Sequence, residues 1–299
     1  MAFTEVQRRG RRKYYYRVRS VRKDGKVTKE RVFLGTNLRP PDLKKKERRA
    51  DRELGLLSEL LTQQDQTFLD RVRAAYAKEP RSTTQNRYGA FVAQLTYDSN
   101  AIEGNTLTLD ETSQLLFEGL VPAKSLREVH EALNHKSAFD QALAYRGDVT
   151  KKFICRLHEI VVKDTLPVDL DSQIGGYRDV QVYIRGVDWV PAKPKDVPKD
   201  MKALLEWYTK NKKKLHPVVV SAYFHTGFEL VHPFVDGNGR VGRLLMNFIL
   251  HRNGYPMVNI PKVRRREYYA ALHKGQVEGD LRPFVSLLID EYRRSPLRF

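Results

Sequence analysis

His232-Pro233-Phe234-Val235-Asp236-Gly237-Asn238-Gly239-Arg240-Val241-Gly242-Arg243 places a base, an acid, a glycine-rich turn and two guanidinium groups in twelve consecutive positions. Apolar periodicity predicts a helix over 218–231 entering this stretch. A second helix, over 241–252, leaves it with Val241, Leu244, Leu245, Phe248 and Ile249 on its buried face. The chemistry is therefore expected at a helix start, where unpaired N–H groups and the dipole favour an anion. Gly237 and Gly239 can adopt positive φ at little cost, so neighbouring N–H groups can converge on a phosphate. Arg240 and Arg243, three apart, share a helix face and can fork onto phosphate oxygens. Asp236 is a hard oxygen ligand suited to Mg²⁺, which binds through one or two carboxylates plus substrate phosphates. His232 can accept a proton near neutral pH. A calcium loop starting at Asp236 is excluded, because Val241 stands where that loop needs Gly and Asn247 where it needs Glu.

The same twelve residues match every specified position of the H-x-F-x-D/E-G-N-G-R-x-x-R signature, and the chain thereby resembles the Fic-domain family. Its members mostly transfer AMP from ATP to a hydroxyl side chain of another protein. A chance match in a chain of this length is rarer than about one in a million. The resemblance implies that His232 deprotonates a Tyr, Thr or Ser hydroxyl of a target protein and that Asp236 holds Mg²⁺ on the ATP phosphates. It implies further that Gly237, Asn238, Gly239, Arg240, Gly242 and Arg243 bind the phosphates and that Phe234 anchors the loop. Upstream, Ser99-Asn100-Ala101-Ile102-Glu103-Gly104 resembles the [S/T]-x-x-x-E-[G/N] motif of family members with a built-in inhibitory helix. By that likeness Ser99, Glu103 and Gly104 form an inhibitory element, with Glu103 paired to Arg243. Gly104 also reads as a helix C-cap.

The rest of the chain is expected to be mainly α: a Fic-type helical bundle with a β-hairpin flap and a small N-terminal β-hairpin arm. Residues 1–41 read as the arm, 42–84 as linking helices and 85–299 as the Fic domain, with an inhibitory helix at about 85–104. A helix over 42–61 joins arm to core. Thr108 and Glu111 form a capping box. Helices follow over 124–145, with Leu126, Val129 and Leu133 buried, and over 150–163. Between about 176 and 191 the period changes. Val180, Val182 and Ile184 alternate with polar positions, Arg185-Gly186 turns the chain, and Val187, Trp189 and Val190 return. In the family this place is a flap whose edge receives the target chain as a strand, which assigns Val182, Tyr183, Ile184, Arg185 and Gly186 to docking. Tyr268 and Tyr269 resemble the family's adenine wall, and Gln276 stands one residue later than a common Asn.

Composition sets the remaining bounds. The chain has 299 residues and a formal charge of +18, with Cys155 as its single cysteine. An internal disulfide is thus excluded. No stretch reaches 18 apolar residues and no apolar leader opens the chain, so no membrane span and a cytoplasmic protein are expected. Residues 1–50 hold 18 Lys+Arg against 5 Asp+Glu, or +13, leaving +5 for the other 249. Tyr14, Tyr16 and Val18 alternate with Arg17 and Arg19, and Val27–Leu34 supplies a second strand. This basic arm suits nucleic acid, an acidic protein, or a hairpin docked on one face and solvated on the other. Two functions follow: an autoinhibited protein adenylyltransferase using Mg²⁺ and ATP, equally able in principle to remove AMP, or a nucleic-acid-binding regulator with a nucleotide-sensing core. A homodimer is compatible with either.

Overall fold

Between residues 238 and 250 the chain carries Val241, Leu244, Leu245, Met246, Phe248, Ile249 and Leu250, which project in every direction from a helix. Such a helix has to be surrounded. In the computed structural model, which describes residues 2–9, 12–23, 26–53, 56–184, 187 and 189–294, it is the centre of the protein. Three strands come first: β1 (Ala2–Arg9), β2 (Arg12–Lys23) and β3 (Lys26–Thr36). Helices α1 (Pro40–Glu53), α2 (Gln63–Ala77), α3 (Arg81–Glu103), α4 (Leu109–Phe117), α5 (Leu126–Ala144) and α6 (Lys151–Val161) follow. Then come α7 (Val197–Asn211), α8 (Pro217–Val231), α9 (Asn238–Arg252), α10 (Arg265–His273) and α11 (Arg282–Arg294).

The α8–α9 pair divides the core in two. On one side Phe91, Phe139, Phe153, Leu157, Met201 and Phe224 pack around it from α3 and α5–α8. On the other, Leu69, Ile102, Tyr268, Phe284 and Leu288 close it from α2, α3, α10 and α11. Capping boxes start α4, where Thr108 accepts from Glu111 N–H at 3.1 Å, and α5, where Ser125 accepts from Glu128 N–H at 3.3 Å. Helix α3 ends at Gly104, whose φ of +108° is open to glycine and strained for other residues, so Glu103 is the last helical side chain. Buried Asp98 accepts from the Lys262 N–H at 2.7 Å and from Asn259 Nδ2, tying α3 to the segment before α10.

Several expectations need correction. The arm is a three-stranded antiparallel sheet of order β1-β2-β3, in which the expected hairpin is joined by residues 2–9. The helix expected over 42–61 stops at Glu53, and a short 3-10 turn, Leu56–Glu59, precedes α2. Leu126 and Leu133 are exposed; Val129, Ala132 and Phe139 form the buried face of α5. No residue of 176–184, 187 or 189–191 is in a strand, so the flap is an irregular loop where described. Arg185 and Gly186 lie outside the described residues. Buried Arg178 explains the loop: its guanidinium donates to the carbonyls of Val180 (2.9 Å), Ala192 and His232 (2.7 Å). One side chain thus joins both legs of the loop to the end of α8, using carbonyls that a ladder would need.

Buried histidines tune acid stability. His135 and His225 are pushed down to about 3, and His158 and His216 to about 4, chiefly by burial. The unfolded chain binds their protons below about 6.5 while the folded one does not. Stability is therefore complete above that value and falls as pH drops through 6.5 toward 3–4, by up to about 1.4 kcal/mol per pH unit per histidine. The thermal midpoint is expected to fall by many degrees between pH 7 and pH 5; an unchanged midpoint would contradict this assignment.

Candidate nucleotide site

The signature loop is shaped by its own side chains before any ligand is considered. Asn238 accepts from the Phe234 N–H at 2.9 Å and donates to the Phe234 carbonyl at 2.8 Å, pinching the loop shut. Its side chain is occupied by these two bonds, which leaves its backbone N–H as the group free to meet an anion. Phe234, fully buried, stacks on His158 with centroids 3.8 Å apart and planes 3° apart. His158 Nδ1 accepts from the Gly175 N–H at 3.1 Å, which leaves Nε2–H to donate to the Asp236 carbonyl at 3.2 Å. Gly237, at φ +77°, caps α9. The helix starts three residues earlier than expected, so Gly239 is helical and has no positive φ. The N–H groups of Asn238, Gly239 and Arg240 in this first turn lack intrahelical partners. Such unpaired donors at a helix start favour a negative charge.

Glu103 sits over that end. A Cβ built on Gly239 would lie 2.0 Å from Glu103 Oε1, so only glycine lets the carboxylate approach the turn this closely. The same oxygen accepts from Arg243 Nη2 at 2.8 Å. Arg243 also donates from Nε to Ser99 Oγ at 3.0 Å and from Nη2 to the Ser99 carbonyl at 2.8 Å. Ser99, Glu103, Gly239 and Arg243, up to 144 positions apart in sequence, thus meet at one point. Tyr268 is buried beneath them, its hydroxyl accepting from Arg243 Nη1 at 3.3 Å and lying 2.9 Å from His225 Nε2. Gly242 is closely packed: a Cβ there would lie 2.6 Å from Glu229 Oε1 and 2.9 Å from His225 Nδ1.

A pocket of about 520 Å³ opens beside this point, a size suited to a nucleotide. His232, Glu103, Glu229, Gly239, Tyr269 and Gln276 line it, and Ile184, Val187 and Trp189 bring the loop over it. Tyr269, 39% exposed, faces it more openly than Tyr268. His232 caps α8 in the left-handed region at φ +52°, which turns the chain toward Pro233. Burial holds its imidazole down at about 4, so it is neutral and able to take a proton at physiological pH. Its Nδ1 is buried 3.7 Å from Glu229 Oε2. Burial, reinforced by Glu103, pushes Glu229 up to about 8, so that carboxyl is protonated below that value.

Asp236 accepts from Arg127 Nη2 at 3.0 Å, from Arg240 Nη2 at 3.2 Å and from the Gly237 N–H at 2.6 Å. Burial opposes its ionisation, but Arg240, the Gly237 N–H and Arg127 together hold its pKa below the usual value. Arg240 is buried, with Nε unpaired. Among the described residues no group of three or more His, Cys, Asp and Glu could hold a metal. A divalent ion here would have one carboxylate and take its other ligands from phosphates and water, a donor set that fits Mg²⁺. No sequence motif marks Arg127, His158, Arg178, His225 or Glu229. Only Glu229, one helical turn before His232, lay close enough to the signature to be found.

This architecture is shared with known proteins. The model of the Fic/DOC family matches residues 148–250. The protein adenylyltransferase Fic of Drosophila persimilis is 40% identical over 199 residues, which is 65% of this chain. The chain spans only 38% of the length of that relative. A Fic domain containing signaling protein from Bacteroides thetaiotaomicron superimposes with a TM-score of 0.68 and 30% identity, covering 77% of this chain and 94% of the other. Fic-1 (aa134–508) from C. elegans gives a TM-score of 0.66 at 30% identity, covering 86% and 76% respectively. The class is that of helical proteins with a nucleotide-sized pocket at a glycine-capped helix start. The chain belongs to the Fic family.

Proposed function

We propose that the chain is an autoinhibited protein adenylyltransferase that moves AMP from ATP to a Tyr, Thr or Ser hydroxyl of a target protein. The observation that carries this reading is the neutral His232 on the wall of the pocket into which the anion-binding turn of α9 opens. His232 Nε2 takes the hydroxyl proton, the hydroxyl oxygen bonds to the α-phosphorus, and the bond to the β-phosphate breaks to release pyrophosphate. The N–H groups of Asn238–Arg240, with Arg240 and Arg243, bear the phosphate charge. Mg²⁺, when bound, supplies charge neutralisation at the α- and β-phosphates, and Asp236 is the residue that would hold it. Tyr269 and Gln276 border the base, with Tyr268 supporting Arg243 from below. The loop of 182–184, with Tyr183 78% exposed, is the surface along which the target chain would lie, pairing there requiring the loop to straighten. The names of the relatives above support the activity.

Incubation with α-labelled ATP, Mg²⁺ and cell lysate tests the reading; a labelled protein band supports it. Absence of label from both the parent and a Glu103→Gly form would end it.

Glu229 gives the reaction an alkaline limit. Above about pH 8 its ionised carboxylate stands beside His232 and close to the phosphate subsite, and repulsion weakens nucleotide placement. Labelling is expected to fall above that pH, and Glu229→Gln should shift the fall upward. Identical pH profiles for parent and variant would contradict this role.

A further inference from the structure

Antiparallel pleating sends alternate residues of β2 to opposite faces, and the two faces have different partners. Arg17 and Arg19 point toward the helices. Arg17 donates from Nε to Asp51 at 2.6 Å and from Nη1 to Thr4 at 3.1 Å, and Arg19 pairs with Glu59. These arginines neutralise the protein's own carboxylates. The other face pairs Tyr16 with Phe33 and Phe3 with Val18 across the strands. Phe33 stands between Tyr14 and Tyr16, with centroids 6.4 and 5.2 Å away. Phe33 is 54% and Phe3 45% exposed. Lys29 and Arg31, both exposed, continue β3 on this face.

We propose that this face is a stacking platform for single-stranded nucleic acid. Clustered aromatic rings, here tilted 33° and 47° to Phe33, accept bases of any sequence on their faces, and the adjoining cations meet the phosphates. A duplex hides its base faces from such rings. An acidic protein would answer to the charge alone and leave the aromatic row without use. Glu5 is the acidic group on this face, and its 3.5 Å contact with the exposed Arg31 is a surface ion pair that a phosphate can replace. The +13 balance of residues 1–50 adds attraction at longer range. This surface is distinct from the nucleotide pocket, and the inference does not depend on the transferase reading.

The test uses the full chain and a fluorescein-labelled 20-mer of oligouridylate, read by anisotropy in 50 and 200 mM salt. Saturable binding is expected, weakening roughly tenfold or more across that range, as about three phosphate contacts require. Tyr16→Ala combined with Phe33→Ala should weaken it at least tenfold. The thermal midpoint of that variant shows whether the sheet survives. If it does not, Phe33→Leu, which keeps an apolar side chain at an exposed position and removes the ring, should still weaken binding measurably. A labelled 20-base-pair duplex should bind less tightly than the single strand. The proposal is overturned by absence of binding at 50 mM salt, by undiminished binding in the folded aromatic variants, or by equal or tighter binding of the duplex. Displacement of the oligonucleotide by polyglutamate as readily as by unlabelled oligouridylate would point instead to an acidic protein and would also overturn it.

Discussion

His232→Ala is expected to lower AMP transfer by roughly 10²–10⁴-fold, the contribution typical of a positioned general base. The imidazole is neutral because burial depresses its pKa to about 4, so the parent should hold its rate from neutrality down toward pH 5. Below about 4 the ring is protonated and cannot accept. Nucleotide affinity should change little, because the proposed phosphate donors, the first-turn N–H groups of α9 and the two arginines, are not altered. Transfer measured with α-labelled ATP, alongside titration calorimetry with ATP, separates the two effects. Full labelling by the variant would remove His232 from the mechanism. Equal losses of binding and transfer would make it a packing residue at the end of α8.

What could be read from the sequence, and what could not, follows from distance along the chain. The signature loop is local chemistry: Gly237, Asp236, Arg240 and Arg243 lie within eight positions, and both flanking helices have clear apolar periods. Even there, α9 begins at Asn238, three residues before its apolar period does. Gly239 reads as a turn residue, yet it is glycine because Glu103 Oε1 would stand 2.0 Å from a side chain. That reason lies 136 positions upstream. The pairing of Glu103 with Arg243 was legible only through family resemblance, since no period or spacing connects the two. The flap failed differently. Its alternation is real, but Arg178 takes the Val180 and Ala192 carbonyls, and Pro191 has no N–H to give a ladder. Strand β1 carries no such signal, because Phe3 and Val6 fall on opposite faces and leave no period of two. Interleaved Tyr and Arg in β2 leave a nucleic-acid surface, an acidic-protein surface and a half-docked hairpin open; pleating puts Arg17 and Arg19 against Asp51 and Glu59 and the aromatic side chains of Tyr16 and Phe33 on the opposite face.

Glu103→Gly is expected to raise ATP-dependent labelling by roughly ten- to a hundred-fold. The carboxylate makes a charge-assisted hydrogen bond to Arg243, a type that contributes about 1.5–3 kcal/mol, and a nucleotide has to displace it before the γ-phosphate can use that guanidinium. It also lies against Gly239, where its negative charge opposes any phosphate approaching the first turn of α9. Glu103→Gln separates the two contributions: it removes the charge and retains the bulk, so its gain should fall between those of the parent and the glycine form. Adding Arg243→Ala to Glu103→Gly should lose most of the gain, because Arg243 is the group that the first change releases. Ser99→Ala should give a smaller rise, since it removes one hydrogen bond to Arg243 Nε and leaves the carbonyl contact in place. The loss of Glu103 places a glycine beside Gly104 at the end of α3, so thermal unfolding of each variant should accompany the labelling assay. If Glu103→Gly labels no better than the parent while remaining folded, the carboxylate is a structural partner of Arg243 and the site is not held inactive by α3.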